Sequence, residues 1–117
     1  MSTKLLFCLD YDKTYDADPG LWNNFIQSVQ NSGHRVILAT YRDDRFDKTP
    51  LLEEVSKTIP VYFTRGVAKK WWLEQFAPEE NGRPDIWIDD RPEAILNNSG
   101  LNREGLAEWR KEQTANS

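Results

Sequence analysis

The chain has one cysteine among 117 residues, which excludes an internal disulfide framework and a cysteine-based structural zinc site. Cys8 lies inside the run Leu5-Leu6-Phe7-Cys8-Leu9, where a small buried core residue is expected rather than a reactive thiol. No stretch approaches the ~20 apolar residues of a transmembrane helix. The N-terminal run is too short, and too soon interrupted by Asp10, to read as a secretory signal, so a cytoplasmic address and no membrane partner are expected. There is no glycine-rich loop ending in Lys-Ser/Thr, which removes the P-loop kinases and GTPases. Repeats, low-complexity segments and linkers are missing too. One domain is therefore expected over residues 1–112, with a frayed tail at 113–117. Basic residues are in deficit, 15 Lys+Arg against 19 Asp+Glu for a net charge of −4. That balance argues against a broad nucleic-acid footprint and leaves room only for a local basic patch.

What is present is core material. Hydrophobic residues make up 38% of the chain, with five Trp, four Tyr and five Phe, enough for a domain that buries roughly 65% of its unfolded surface. Leu5–Leu9 is apolar without alternation, the mark of a strand covered on both faces. An acidic loop from Asp10 to Asp18 follows. Asp18 as N-cap and Pro19 at the first helical position then open a helix carrying Leu21, Trp22, Phe25, Ile26 and Val29, stopped near Gly33. Val36–Thr40 reads as a second strand, and Thr49-Pro50 opens a short helix to about Lys57. Val61–Thr64 is a third strand and Val67–Phe76 a third helix, closed before Pro78. Asp85–Asp89 is a fourth strand, and Pro92–Asn97 and Asn102–Glu112 look helical. Strands alternating with helices at this spacing predict an α/β fold: a Rossmann-like three-layer sandwich on a short parallel sheet of about four strands, order 3-2-1-4.

In such a sheet the ligand crevice lies beyond the carboxyl ends of the strands, at the topological switch point. Asp10 and Asp12 follow the first strand, Thr40 ends the second, Thr64 the third, and Asp89-Asp90 the fourth. Four carboxylates would then crowd one edge. Two like charges ~4 Å apart repel by about 1 kcal/mol in water and about 4 kcal/mol at an effective dielectric of 20. Such a cluster persists with a bound cation or with protons held on some of the acids. An all-oxygen ligand set points to a hard ion, Mg²⁺ before Ca²⁺, Mn²⁺ or zinc. Setting these four acids aside leaves equal numbers of acids and bases, so the remaining surface is close to neutral.

Leu9-Asp10-Tyr11-Asp12-Lys13-Thr14 resembles the first motif of the haloacid dehalogenase superfamily, an apolar strand followed by Asp-x-Asp-x-Thr. Thr40 is similar to its second motif, Lys69 or Lys70 to its third, and Ile86-Trp87-Ile88-Asp89-Asp90 to its fourth, all in the right order and spanning Leu5 to Asp90. Lys13 stands where the superfamily often has Gly. The resemblance implies a Mg²⁺-dependent phosphomonoesterase. Asp10 would be the nucleophile that forms an aspartyl-phosphate, and Asp12 the general acid and then base, its proton favoured by acidic neighbours. Thr40 and the motif lysine would bind the phosphoryl group. Mg²⁺ would be held by Asp10, the Asp12 carbonyl and the fourth-strand acids, Asp90 directly and Asp89 directly or through another group. Helical phase favours the first lysine: Lys69 shares a face with Trp72, Leu73 and Phe76, whereas Lys70 shares one with Glu74.

Neither the interval Tyr15–Arg35 nor Tyr41–Pro60 is long enough for a cap domain, so the likeness is to a minimal, capless phosphatase with an open site. Capless members act on exposed phosphates, such as nucleotides, nucleic-acid ends or phosphoproteins, or complete their site by oligomerisation. Thr40-Tyr41-Arg42 is also similar to the second motif of polynucleotide 3′-phosphatases. Two other readings stand beside it: a non-catalytic metal- or phosphate-binding regulator on the same scaffold, and a phosphotransferase. An EF-hand loop from Asp10 fails, because Tyr15 and Leu21 stand where Gly and Glu are needed. A receiver domain fails because Thr64 stands where its acceptor Asp would be. Arg42 and Arg45 read as solvated turn charges, although both are on the correct side to contact a substrate phosphate, and Arg42 is the candidate for it. Trp22, Trp71, Trp72, Trp87 and Trp109 read as packing residues, and His34 as a capping or surface residue away from the site.

Overall fold

Neighbouring residues of the central apolar runs serve two different cores. In β1 (Leu6–Leu9), Phe7 and Leu9 pack on one side of the sheet, and Leu6 and Cys8 on the other. In β2 (Arg35–Thr40), Val36 and Leu38 share the first side, and Ile37 and Ala39 the second. That is the period-2 geometry of a strand, with both faces covered, and it explains why neither run alternates with polar residues. Leu9, Ile37 and Leu38 are completely buried, each burial stabilising the fold by about 1.5–3 kcal/mol. The computed structural model describes residues 4–80 and 83–99. The expected helix Asn102–Glu112, Trp109 and the tail 113–117 lie outside the described residues.

Two further strands, β3 (Val61–Phe63) and β4 (Ile86–Ile88), complete an all-parallel sheet in the order β3-β2-β1-β4. The first core lies under α1 (Pro19–Asn31) and α2 (Pro50–Val55), through Ile26, Val29, Leu52 and Val55. The second lies under α3 (Lys69–Phe76), through Trp72 and Leu73. Helices on both faces give the three layers expected of an α/β fold. The chain steps outward from β1 to β2 to β3, then crosses on the opposite face to place β4 against the other side of β1. The switch point therefore falls between β1 and β4.

Both α1 and α2 begin as their sequences specify. Asp18 accepts the Leu21 N–H at 3.2 Å and Thr49 Oγ1 the Leu52 N–H at 3.1 Å, each cap followed by a proline. Gly33 sits at φ +87° after α1, a conformation that favours glycine. Leu21 is a departure from the expected apolar face: it lies in the first turn and is 55% exposed, while Trp22, Phe25, Ile26 and Val29 carry the packing. Cys8 is buried, and burial pushes its thiol pKa well above the ordinary range. His34 accepts the Leu5 N–H at 2.9 Å, capping the entry to β1. Among the described residues, no helix is long and apolar enough to cross a membrane.

Candidate active site

The register brings the acids together. Leu9 pairs with Ile88, so the next residues, Asp10 and Asp89, leave the sheet side by side, and the Asp10 N–H donates to the Ile88 carbonyl at 2.9 Å. Asp10, Asp89 and Asp90 each offer a carboxylate oxygen within 4.8 Å of the others. Lys69 reaches into this group from the first turn of α3. Its Nζ lies 2.7 Å from Asp10 Oδ1 and 2.6 Å from Asp89 Oδ2, and the residue is 2% exposed. Trp72 and Leu73, one turn along the same face, pack on the sheet and aim the lysine at the strand ends. Lys70 points to solvent and pairs with Glu74 at 2.6 Å.

Electrostatics at the cluster are unbalanced. Burial raises the Asp10 pKa to about 7, opposed by the Lys69 charge and reinforced by the neighbouring Asp90 and Asp89 carboxylates. Burial pulls Lys69 down, but Asp10 and Asp89 together outweigh it and hold the ammonium above its usual range. Thr14 Oγ1 donates to Asp10 Oδ2 at 3.3 Å, and Asp89 Oδ1 accepts the Arg91 N–H at 2.9 Å. Lys69 pairs with Asp10 and Asp89 and not with Asp90.

The group opens into a cavity of about 210 Å³, smaller than the roughly 300–1,000 Å³ that encloses a drug-sized ligand. Four carboxylates, Asp10, Asp12, Asp89 and Asp90, line it against three cations, Lys13, Lys69 and Arg91. Tyr41 and Ala94 complete the wall. The Lys69 ammonium lies 5.7 Å from the Tyr41 ring centroid, and the Tyr41 hydroxyl donates to the Asn97 carbonyl. Tyr41, Lys13 and Arg91 were not singled out as wall residues by sequence. The available signal was position: Tyr41 directly follows the Thr40 strand end and Arg91 directly follows the paired acids.

Three expected site residues have partners that their sequence reading does not include. The Asp12 carboxylate stands outside the three-acid cluster, and its partner is a guanidinium: Arg42 Nη2 donates to Oδ1 at 2.7 Å, and Nε lies 3.1 Å from both oxygens. Arg42 is thus a paired residue, not a solvated turn charge, and Asp12 raises its pKa further. Thr40 is fully buried beneath the wall, where its hydroxyl accepts the Arg42 N–H at 3.2 Å. Neither Thr40 nor Arg42 lines the cavity. Arg45 is paired too, with Asp43 at 2.7 Å.

The expected acidic loop is a defined turn. The Tyr15 and Asp16 N–H groups reach back five residues to the Asp10 and Tyr11 carbonyls, at 3.3 and 3.0 Å. Asp12 is extended and Lys13 left-handed, at φ +61°. Lys13 therefore occupies a backbone conformation that costs an L-residue about 1–2 kcal/mol and a glycine nothing.

The donor set suits a hard divalent cation: three carboxylates converge at one edge with a single ammonium between two of them. No family model, curated protein or solved structure matches the chain.

Proposed function

We propose that the chain is a Mg²⁺-dependent phosphomonoesterase of the haloacid dehalogenase type, acting through an aspartyl-phosphate on Asp10. The observation that supports it most is the meeting of Asp10, Asp89 and Asp90 at the β1–β4 switch point, with the Lys69 ammonium 2.7 and 2.6 Å from two of them. Asp10 attacks phosphorus, the bond to the ester oxygen breaks, and Asp12 delivers a proton to the departing oxygen. In the second step Asp12 takes a proton from water, whose oxygen attacks the phosphoryl group. Inorganic phosphate leaves and the Asp10 carboxylate is restored. Lys69 offsets the charge that grows on the phosphoryl oxygens. Asp10, the Asp12 carbonyl and Asp90 would hold Mg²⁺, with Asp89 beside them engaged by Lys69. When bound, the ion supplies charge neutralisation for the incoming phosphate.

Charge supports the metal. With Asp12 holding the proton it delivers, the wall's three remaining carboxylates balance its three cations, so no net positive charge is left to offset a phosphate dianion, and a divalent cation would supply it. Thr40 acts here by holding the Arg42 backbone rather than by touching substrate. The small cavity and the absence of a cap insertion between the described strands favour an exposed phosphate ester: a nucleotide, a nucleic-acid end or a phosphoprotein. The test is release of inorganic phosphate from a set of esters, including 3′- and 5′-phosphorylated oligonucleotides, with Mg²⁺ and with chelator. Magnesium-dependent release from at least one ester is expected. No release from any would favour the non-catalytic regulator.

A further inference from the structure

The Asp12 carboxylate sits on a loop, with a side chain 47% exposed. A short acid so placed samples several rotamers unless another group holds it. Arg42 holds it with a fork of three short contacts, 2.7 to 3.1 Å, a geometry that fixes a carboxylate in plane as well as in distance. Arg42 is itself held by further contacts. Its Nη1 donates to the Asp47 carbonyl at 3.2 Å, and its N–H donates to Thr40 Oγ1. Its guanidinium lies 5.2 Å from the centroid of the buried Tyr11 ring, whose hydroxyl is 2.8 Å from Thr49 Oγ1, the N-cap of α2. A chain of packed groups therefore runs from the start of α2 to the carboxylate of Asp12, and Asp12 lines the cavity while Arg42 does not.

We infer that Arg42 is a positioning residue, which sets the Asp12 carboxylate for proton delivery to the leaving oxygen and does not bind substrate phosphate. The inference rests on the phosphatase reading above. A proton donor matters most when the departing oxygen is a poor leaving group, since the breaking P–O bond then needs the proton to avoid an alkoxide. An aryl oxide leaves with little help. Loss of Arg42 should thus act through the leaving group and the rate, not through affinity.

The experiment uses the full chain with Mg²⁺ and two substrates, an aryl ester (p-nitrophenyl phosphate) and an alkyl ester (glycerol phosphate). Arg42→Gln should lower kcat on the alkyl ester about 100-fold, the scale on which a misplaced catalytic group costs rate, with a much smaller loss on the aryl ester and little change in KM. Arg42→Lys, which keeps the charge but cannot form the fork, should behave in the same way and guards against a folding defect in the first variant. In an Asp12→Asn background Arg42→Gln should cost nothing more, because a residue acting only through Asp12 has nothing left to position. A rise in KM on both esters with kcat unchanged would show the guanidinium on the substrate phosphate and overturn the inference. So would equal losses on the two esters, or losses from Arg42 and Asp12 that multiply. A wild-type protein that hydrolyses neither ester fails the phosphatase reading itself, whereas an active wild type with unaffected Arg42 variants fails the positioning role alone.

Discussion

Raising the pH from about 5 to about 8 in the presence of a chelator should destabilise the protein through Asp10. The Asp10 carboxyl ordinarily titrates at 3.8, and burial raises it to about 7 in the folded chain. Between those values the folded state binds this proton and the unfolded chain does not, so the free energy of unfolding falls as pH rises. The contribution is fully present below 3.8 and is lost as pH passes through about 7. At about 1.4 kcal/mol per pH unit, the stretch from about pH 5 to about 7 sets a ceiling on the order of 3 kcal/mol for the loss over this range. The Lys69 shift is also upward, and the whole window lies below the range where a lysine titrates, so its contribution stays constant. Melting curves in chelator at each pH, for wild type and for Asp10→Asn, isolate the effect: the wild-type Tm should drop by several degrees relative to the variant, at a few degrees per kcal/mol. Millimolar Mg²⁺ should restore stability at the high-pH end. A wild-type Tm that stays parallel to that of Asp10→Asn across the window would refute the argument that Asp10 is a buried carboxyl short of positive charge.

Other expectations follow from the same geometry. Mg²⁺ at about 100 times its Kd should stabilise the fold by about 2.7 kcal/mol in thermal melts, with Asp90→Asn shrinking the shift and Glu79→Gln leaving it intact. Glu80 would be a poor control, because it is buried and paired with Arg35 at 2.8 Å. Lys69→Met leaves Asp10 and Asp89 facing each other uncompensated and should cost about 3–5 kcal/mol in urea unfolding at pH 8, and less at pH 5, where Asp10 holds a proton. At Lys13, φ +61°, a β-branched Lys13→Val should lose about 1–2 kcal/mol, whereas Lys13→Gly should hold or raise stability. A loss with Gly as large as with Val would contradict the backbone account.

Much of this arrangement was legible before any coordinates, for physical reasons. Leu5–Leu9 and Val36–Thr40 read as buried strands because both of their faces are covered, and the order β3-β2-β1-β4 follows from βαβ connectivity. Once β1 and β4 are neighbours, Asp10 and Asp89 must emerge together, and helical phase alone aims Lys69 rather than Lys70 at them. What was not legible depends on loops, which carry no period. Nothing in Tyr41–Lys48 announces that Arg42 folds back over Tyr11 onto Asp12, 30 residues earlier in the chain. Asp12 shares the cavity with the other acids, as its position after β1 implies, but its guanidinium partner had no sequence signal. Leu21 obeys the helical spacing yet lies in the first turn of α1 and is exposed, so its pattern matched while its burial did not.

The central claim is that Asp10 carries the phosphoryl group. Asp12→Asn keeps the nucleophile and the acids around it but removes the base needed to hydrolyse the intermediate. With p-nitrophenyl phosphate and Mg²⁺, this variant should give a burst of nitrophenol and then stall, slowed by ~10²–10⁴ relative to wild type. Mass spectrometry of the acid-quenched variant should find one phosphoryl group on the peptide containing Asp10, absent when Asp10 is also changed to Asn. An unmodified Asp10 peptide under conditions where the wild type turns over would contradict the covalent mechanism.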